Sequence, residues 1–276
     1  MLRSFSTLCC LEKNLQEVIS LALSARMQGV EIRVGNDGTL LGGMTVENAE
    51  EIRKAFVESG LVITDLGISV SFSEYDTEKL AEARNAVDLA AAVGAGAIRL
   101  FLGKFQHRFS QTPVDDIPGI ARALQELCAY AAEKQVEIWI ETHSEFSTGK
   151  SLREILDLVP CENLNVIWDV IHPIEYGESL AETAAYLGDR VAHVHVKDGV
   201  PTEDHDLTQY HHTDLGEGVV PIREFLALLR KMNYTGFLSL EWEKPWRPEI
   251  QHLYPDTQDL LVAFNRWIET NDDTEA

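Results

Sequence analysis

The stretch Val191-Ala-His-Val-His-Val-Lys-Asp-Gly199 decides how the rest of the chain is interpreted. Its valines alternate with polar residues as in a β-strand, and Asp198-Gly199 is a typical strand stop. Because strand side chains alternate between faces, His193, His195 and Lys197 share one face. Two imidazoles and an ammonium are costly to bury without partners, so this face lies either in water on an edge strand or in a metal or substrate site. Ligand-type residues at the ends of other strands would favour the site.

Length and charge fit one large domain that acts on small molecules. The chain has 276 residues, of which 45% are hydrophobic, and a formal net charge of -22. A barrel of eight strand–helix units takes ~250 residues. Nucleic acids and anionic membranes bind basic surfaces, so we expect neither as a partner. No linker-like composition divides the sequence, and we expect a single domain over residues 1–276.

Strand and helix patterns alternate eight times along the chain. Strands are predicted at 4–8, 30–34, 61–70, 97–102, 136–142, 164–169, 191–197 and 236–241. Helices are predicted to open at Pro113 and Pro221, and capping boxes are predicted at Ser151 with Glu154 and at Ser179 with Glu182. This alternation predicts parallel strands, and the number eight favours closure into an α/β TIM barrel, (β/α)8. An open doubly wound sheet is the alternative, but the glycine-rich first turn typical of that fold is absent.

The last four predicted strands end in carboxylates or imidazoles. The residues are Glu141 and His143, Asp169 and His172, His193 and His195, and Glu241 and Glu243. In a barrel, the C-terminal ends of the strands converge on one rim. Neighbouring carboxylates repel one another, and a divalent cation removes that repulsion. Oxygen ligands with one imidazole favour Mn²⁺, with Mg²⁺, Co²⁺ and Zn²⁺ as alternatives, and the absence of thiolates argues against a structural zinc site.

The motifs of the second half resemble those of a known family. They are Glu141-Thr-His143, Trp168-Asp-Val-Ile-His172, Val191-Ala-His-Val-His-Val-Lys-Asp198, Leu215-Gly-Glu-Gly218 and Phe237-Leu-Ser-Leu-Glu-Trp242. Together they are similar to those of sugar isomerases and epimerases of the xylose isomerase-like TIM-barrel superfamily. The resemblance implies the metal ligands Glu141, Asp169, His195 and Glu241. It also implies that His172 contacts the substrate.

The same resemblance implies a reaction. A sugar epimerase or aldose–ketose isomerase removes a proton beside a carbonyl and passes through a metal-stabilised enediolate. Glu141 and Glu241 come from strands three places apart in the ring, so they could flank a sugar as paired acid and base. A keto-inositol-type dehydratase would begin with the same proton removal. A barrel that binds metal or sugar without catalysis is a further alternative.

A nuclease resembling endonuclease IV is a poor match. That branch takes extra histidines from strands two to four, and here those strands end in Arg33-Val-Gly35, Ser69-Val-Ser71 and Leu100-Phe-Leu102. The strongly negative charge also disfavours DNA.

Other side chains near the rim are weaker candidates for substrate contacts. His143 could reach the substrate or could be a loop histidine. Lys197 could bind an anion, or form a salt bridge with Asp198 or another rim acid. Arg99 could contact a sugar hydroxyl, or form a buried ion pair with Glu31 or Asp65. His193 is interpreted either as a residue that supports the site or as a packing residue.

The remaining expectations concern location and partners. The N-terminal residues lack the pattern of a signal peptide, and no apolar run reaches the ~18 residues of a membrane span. Four cysteines without a zinc-ligand spacing suit reduced thiols, and we expect a cytoplasmic protein. A phosphate-binding loop is not evident, which favours an unphosphorylated sugar or polyol as substrate. Homo-oligomers are common among such barrels.

Overall fold

Eight parallel strands close into a barrel in the computed structural model, which describes residues 1–35, 43–104, 116–202 and 210–272. The strands are β1 (Leu2–Ser6), β2 (Gly29–Arg33), β3 (Val62–Phe72), β4 (Ala97–Leu102), β5 (Glu137–Glu141), β6 (Leu164–Asp169), β7 (Val191–Val196), β8 (Asp198–Pro201), β9 (Tyr210–Thr213) and β10 (Phe237–Leu240). The barrel order is β1-β10-β7-β6-β5-β4-β3-β2, and β1 also pairs with β2. The predicted TIM barrel is confirmed, and the open sheet is excluded.

Helices surround the barrel and connect successive strands. Within the described residues they are α1 (Leu15–Ser24), α2 (Ala49–Ser59), α3 (Thr77–Val93), α4 (Ile117–Ala132), α5 (Gly149–Leu158), α6 (Ile171–Glu175), α7 (Leu180–Leu187), α8 (Ile222–Lys231) and α9 (Thr257–Asp272). Eight helices were expected, and the additional one is α6. It is a single short turn directly after β6, and it carries His172. The apolar sides of the longer helices pack on the outer face of the barrel in one continuous core.

Two of the predicted helix starts need correction or fall outside the described residues. Helix α5 begins at Gly149 because the Thr148 side chain accepts a hydrogen bond from the Ser151 backbone N–H. The predicted capping box at Ser151 is therefore wrong, and Ser151 lies inside the helix. Pro113 lies outside the described residues, and α4 is instead capped by Asp116.

Two other predicted starts are confirmed. Ser179 and Glu182 form the expected capping box at the start of α7. Pro221 directly precedes α8, whose buried apolar stripe faces the barrel. In both places a residue that fixes the local backbone stands immediately before the amphipathic pattern.

A small antiparallel hairpin of β8 and β9 lies between β7 and α8, where only a long loop was expected. The Asp198 carboxylate fastens it to the segment that leads into α8. Its two oxygens accept hydrogen bonds from the backbone N–H groups of Gly199, Gly216, Gly218 and Val220 at 2.8–3.1 Å. Gly216 has φ +86°, a conformation that favours glycine. The two glycines of the Leu215-Gly-Glu-Gly218 motif thus serve the backbone geometry of this segment.

The interior of the barrel is polar around the C-terminal strands. His193 and His195 are both 0% exposed, so β7 is not an edge strand with one face in water. Other buried polar side chains point into the same interior: Glu31, Asp65, Arg99, Glu141, Asp169 and Ser239. Buried charges need partners, and the partners of these groups define the candidate site.

No helix in the described part of the chain is both long and apolar enough to span a membrane.

Candidate metal centre

Four strands bring three carboxylates and an imidazole to one point. Glu141 ends β5, Asp169 ends β6, His195 lies near the end of β7, and Glu241 follows β10 directly. One ligand-type atom from each lies within 4.8 Å of all the others. All four side chains are buried. The convergence that the sequence pattern predicted is therefore present.

The His195 ring is the centre of this cluster. Its Nδ1 atom lies 3.4 Å from Glu141 Oε1, 3.6 Å from Asp169 Oδ2 and 3.3 Å from Glu241 Oε2. Burial lowers the pKa of His195, but Glu241, Glu31 and Glu141 outweigh burial and raise it well above its ordinary value. This environment favours a positive charge on Nδ1, whether a proton or a metal ion.

The residues fit a divalent cation. His195 Nδ1, Asp169 Oδ2 and Glu241 Oε2 are buried and make no well-directed hydrogen bond, although Lys197 Nζ forms ion pairs with the two carboxylate oxygens. Buried polar atoms are normally paired, so a nitrogen without a hydrogen-bond partner that faces three carboxylates indicates a place for a cation shared by the four groups. Three carboxylates and one imidazole suit Mn²⁺ or Mg²⁺ and also accommodate Zn²⁺.

Lys197 reinforces the site from the rim. Its Nζ atom lies 2.7 Å from Asp169 Oδ2, 2.9 Å from Glu243 Oε1 and also against Glu241 Oε2. Of the two predictions for Lys197, the salt bridge with a rim acid is the one observed, and its partners are Asp169, Glu241 and Glu243 rather than Asp198. Burial would raise the pKa of Asp169, but Lys197 chiefly, with help from histidines, holds it well below its usual range.

Arg99 approaches the site from the opposite wall. Its Nε atom lies 3.4 Å from Glu141 Oε2, and its guanidinium carbon lies 4.2 Å from the centre of the Phe101 ring. The ion pair is thus with Glu141, rather than with Glu31 or Asp65 as the alternative interpretation had it. A Cβ atom at Gly67 would lie 2.7 Å from Arg99 Nη2, so glycine leaves the space that the guanidinium fills.

His172 and His143 stand side by side at the rim. His172 Nε2 lies 3.7 Å from Asp169 Oδ2, and Nδ1 lies 3.3 Å from Glu175 Oε2. Burial lowers the pKa of His172, but these two carboxylates raise it to about 9. The His143 ring packs edge-on to His172 with centroids 4.9 Å apart, and burial, followed by the charge of His172, lowers its pKa to about 4.

Two residues near the site were given no role in it from the sequence. Glu31, on β2, accepts hydrogen bonds from His193 Nε2 and His195 Nε2, each at 3.0 Å. His212, on β9, is buried with no hydrogen-bond partner at Nε2, and burial lowers its pKa to about 3. A single acid in a strand and a histidine in a loop are common, and nothing local in the sequence distinguishes these two.

Comparisons with known proteins agree with the architecture. A family model described as "Xylose isomerase-like TIM barrel" matches residues 19–261. A putative L-ribulose-5-phosphate 3-epimerase of Haemophilus influenzae is 22% identical to this chain, over 94% of this chain and 92% of that protein.

Solved structures show the same fold at low identity. The D-allulose 3-epimerase of Methylomonas sp. in complex with D-allulose is 20% identical, with a TM-score of 0.76 over 98% of this chain and 97% of that one. A probable 3-DHS dehydratase, AsbF, from Bacillus anthracis is 18% identical, with a TM-score of 0.76 over 99% and 100%. At this identity the structural likeness establishes the fold alone.

Proposed function

The chain belongs to the xylose isomerase-like TIM-barrel family, and we propose that it is a divalent-metal-dependent epimerase of an unphosphorylated ketose or related keto-polyol. The observation that carries this proposal is the buried meeting of Glu141 and Glu241 on His195 Nδ1, at 3.4 and 3.3 Å. The full-length relative named as a sugar 3-epimerase supports the reaction class.

The proposed metal ligands are Glu141, Asp169, His195 and Glu241, with Mn²⁺ as the preferred ion. When bound, the ion would act as a Lewis acid that stabilises negative charge on the substrate's carbonyl oxygen. The chemistry of the donors supports this choice, because hard carboxylate oxygens outnumber the single imidazole.

The two glutamates are the proposed acid and base. Glu141 ends β5 and Glu241 directly follows β10, and β6 and β7 lie between these strands in the barrel order. A sugar between these positions would offer opposite faces of one carbon to the two carboxyl groups. One glutamate would remove the proton beside the carbonyl, and the other would return a proton to the opposite face. Their identical chemistry suits a reversible reaction.

The proposed substrate contacts are His172, His143, Lys197 and Arg99. The doubly protonated His172 that its raised pKa favours would donate to a sugar oxygen, whereas neutral His143 can also accept a hydrogen bond. Lys197 and Arg99 would place positive charge beside the oxygens of the reacting carbons.

Charge balance supports a neutral substrate. Among the described residues near the site, Lys197 is paired with three carboxylates, Arg99 with Glu141, and Arg247 with Glu243. A phosphate group would have to compete with carboxylates for each of these three side chains, and also for His172, which lies against Asp169 and Glu175. A hydroxyl group meets no such competition.

Proton exchange in D₂O tests the proposal directly. The metal-loaded protein is incubated with a panel of ketoses, sugar acids and keto-inositols, the metal is removed, and proton NMR follows the position beside the carbonyl. We expect deuterium to appear there together with the epimeric sugar. Protein stripped of metal by a chelator and then reloaded serves as the matched control.

Other outcomes lead to other conclusions. Deuterium incorporation with loss of water would replace the epimerase by a dehydratase acting on the same site, the alternative that the structural likeness to a dehydratase keeps open. Metal bound without exchange on any compound of the panel would argue against proton-transfer chemistry and in favour of a binding protein.

A further inference from the structure

We propose that Glu31 is the positioning residue that makes His195 a metal ligand through Nδ1. This inference rests on the metal site of the proposed function and adds a residue from the other half of the barrel to it. Glu31 Oε2 accepts a hydrogen bond from His195 Nε2 at 3.0 Å, on the side of the ring away from Glu141, Asp169 and Glu241.

The hydrogen bonds of Glu31 fix which nitrogen of His195 carries the proton. An ionised carboxylate only accepts hydrogen bonds, so His195 must present N–H at Nε2. A neutral imidazole has one N–H, and Nδ1 therefore turns its lone pair toward the three carboxylates. A carboxylate on the far nitrogen also makes the ring a stronger metal donor.

Three donors reach the Glu31 carboxylate. Its Oε1 atom accepts from His193 Nε2 at 3.0 Å and from the Ser239 hydroxyl, while Oε2 accepts from His195. His193 is oriented by the Trp139 ring, which it stacks on with centroids 5.3 Å apart and planes 21° apart. Three donors therefore converge on this one carboxylate, and Glu31 acts only as an acceptor in the cluster.

A second metal ion between Glu31, His193 and His195 is the competing interpretation. These three side chains do lie close enough together to hold an ion. However, both imidazole–carboxylate distances are those of ordinary hydrogen bonds, and each Nε2 donor already has one acceptor. Both Nε2 atoms and both Glu31 oxygens already have hydrogen-bond partners, whereas His195 Nδ1, which faces three carboxylates, has none.

The Glu31→Gln variant separates positioning from packing. Glutamine keeps the size of the side chain, but its amide carries donors on one of the two positions that now accept. The glutamine side chain cannot accept hydrogen bonds from His193, Ser239 and His195 at once, so at least one buried donor would lose its acceptor. We expect Zn²⁺ affinity, measured by competition with a chromophoric chelator, to fall about 10–100-fold.

Matched controls remove one neighbour and keep the Glu31–His195 bond. Ser239→Ala and His193→Phe each delete one donor to Oε1, and phenylalanine preserves an aromatic stack on Trp139. We expect each to change Zn²⁺ affinity by about threefold or less. Circular dichroism of all variants without metal verifies that they fold, so that a loss of affinity is not a loss of structure.

A second measurement reads the proton itself. In ¹⁵N-histidine-labelled protein loaded with diamagnetic Zn²⁺, we expect His195 to show a protonated Nε2 and an unprotonated Nδ1. The signals of the neighbouring His193 are recognised by their loss from the His193→Phe spectrum. Equal Zn²⁺ affinity in Glu31→Gln and wild type, an equal loss in the control variants, or a proton absent from Nε2 would each overturn the inference.

The outcome is separable from that of the proposed function. Zn²⁺ affinity that depends on Glu31, in a protein that exchanges no sugar proton, keeps the inference and removes the epimerase. Full epimerase activity with Zn²⁺ affinity that does not depend on Glu31 keeps the epimerase and removes the inference.

Discussion

Arg99 Nε lies 3.4 Å from Glu141 Oε2, with both side chains almost fully buried inside the barrel. The pair joins β4 to β5, and it places a permanent cation beside one of the two proposed catalytic glutamates. The position of Arg99 depends in turn on Gly67 of β3, because any side chain at that position would meet the guanidinium.

We expect Gly67→Ala to reduce turnover by displacing the Arg99 guanidinium from Glu141. The added methyl group would lie 2.7 Å from Nη2, too close for both to keep their places. Because the effect runs through Arg99, Gly67→Ala and Arg99→Lys should not be additive, with a coupling of about 0.5–3 kcal/mol in a double-mutant cycle. Steady-state kinetics of the two single variants and the double variant measure the coupling, and additive losses would contradict this explanation.

Glu141→Gln and Glu241→Gln should each reduce turnover by about 10²–10⁴-fold, the usual contribution of a positioned acid or base. Single-turnover assays at saturating Mn²⁺ keep weakened metal binding from masking the chemical step. Glu243→Gln is the matched control, because Glu243 also pairs with Lys197 but lies outside the group of four. Near-normal turnover of either glutamine variant with metal bound would rule out the paired mechanism.

Asp198→Asn should lower the melting temperature by roughly 5–10 °C. The amide NH₂ group would replace one carboxylate oxygen, and the two backbone N–H groups that now donate to that oxygen would lose their acceptor. The Asp198 carboxylate currently accepts four such bonds. Thermal unfolding compared with Asp189→Asn, an exposed acid in a short 3-10 helix, isolates this effect from a simple change of charge. Equal melting temperatures for the two variants would show that the four bonds contribute little.

His212 predicts how stability depends on pH. Burial first, and then the positive charges of Arg247 and Lys197, lower its pKa to about 3 against the opposing effect of Glu243. In the unfolded chain the pKa of histidine is about 6.5, so unfolding takes up a proton at any pH between these values. The stabilisation is complete above pH 6.5 and is lost as pH falls toward 3, with a slope of at most about 1.4 kcal/mol per pH unit.

The matched variant for this prediction is His212→Gln, which keeps a polar side chain but does not titrate. Its free energy of unfolding, measured in urea from pH 7 to pH 4, should fall less steeply than that of the wild type. Parallel curves would mean that His212 becomes protonated within the folded protein.

The fold could be predicted from the sequence because the spacing of apolar residues reflects which side chains are buried. Strands 97–102 and 164–169 were predicted with their observed bounds, since each is an apolar run with clear ends. Helix α6 was missed because five residues directly after a strand, with no capping side chain, carry no helical period. The capping position of α5 was misassigned because Thr148 and Ser151 both suit the role, and only their backbone geometry separates them.

Part of the candidate site could also be predicted, because the order of residues along each strand fixes their place in the barrel. In a parallel barrel, position along a strand determines height, so Glu141, Asp169 and Glu241 could be placed on one rim from strand ends alone. Glu31 could not be found this way, because its partners lie across the barrel rather than on neighbouring strands. Lys197 was left with two interpretations because its partners depend on side-chain reach and not on strand position.

The Glu31 hydrogen bonds also make the orientation of His195 depend on an N-terminal strand of the barrel. They join residues 162 and 164 positions apart, whereas the four ligand-type side chains all lie between residues 141 and 241. The hydrogen bonds that orient the His195 ring therefore need the first strands of the barrel in place beside the second half of the chain. Tight capture of metal during refolding would then mark the moment at which the first strands dock and the ring becomes complete.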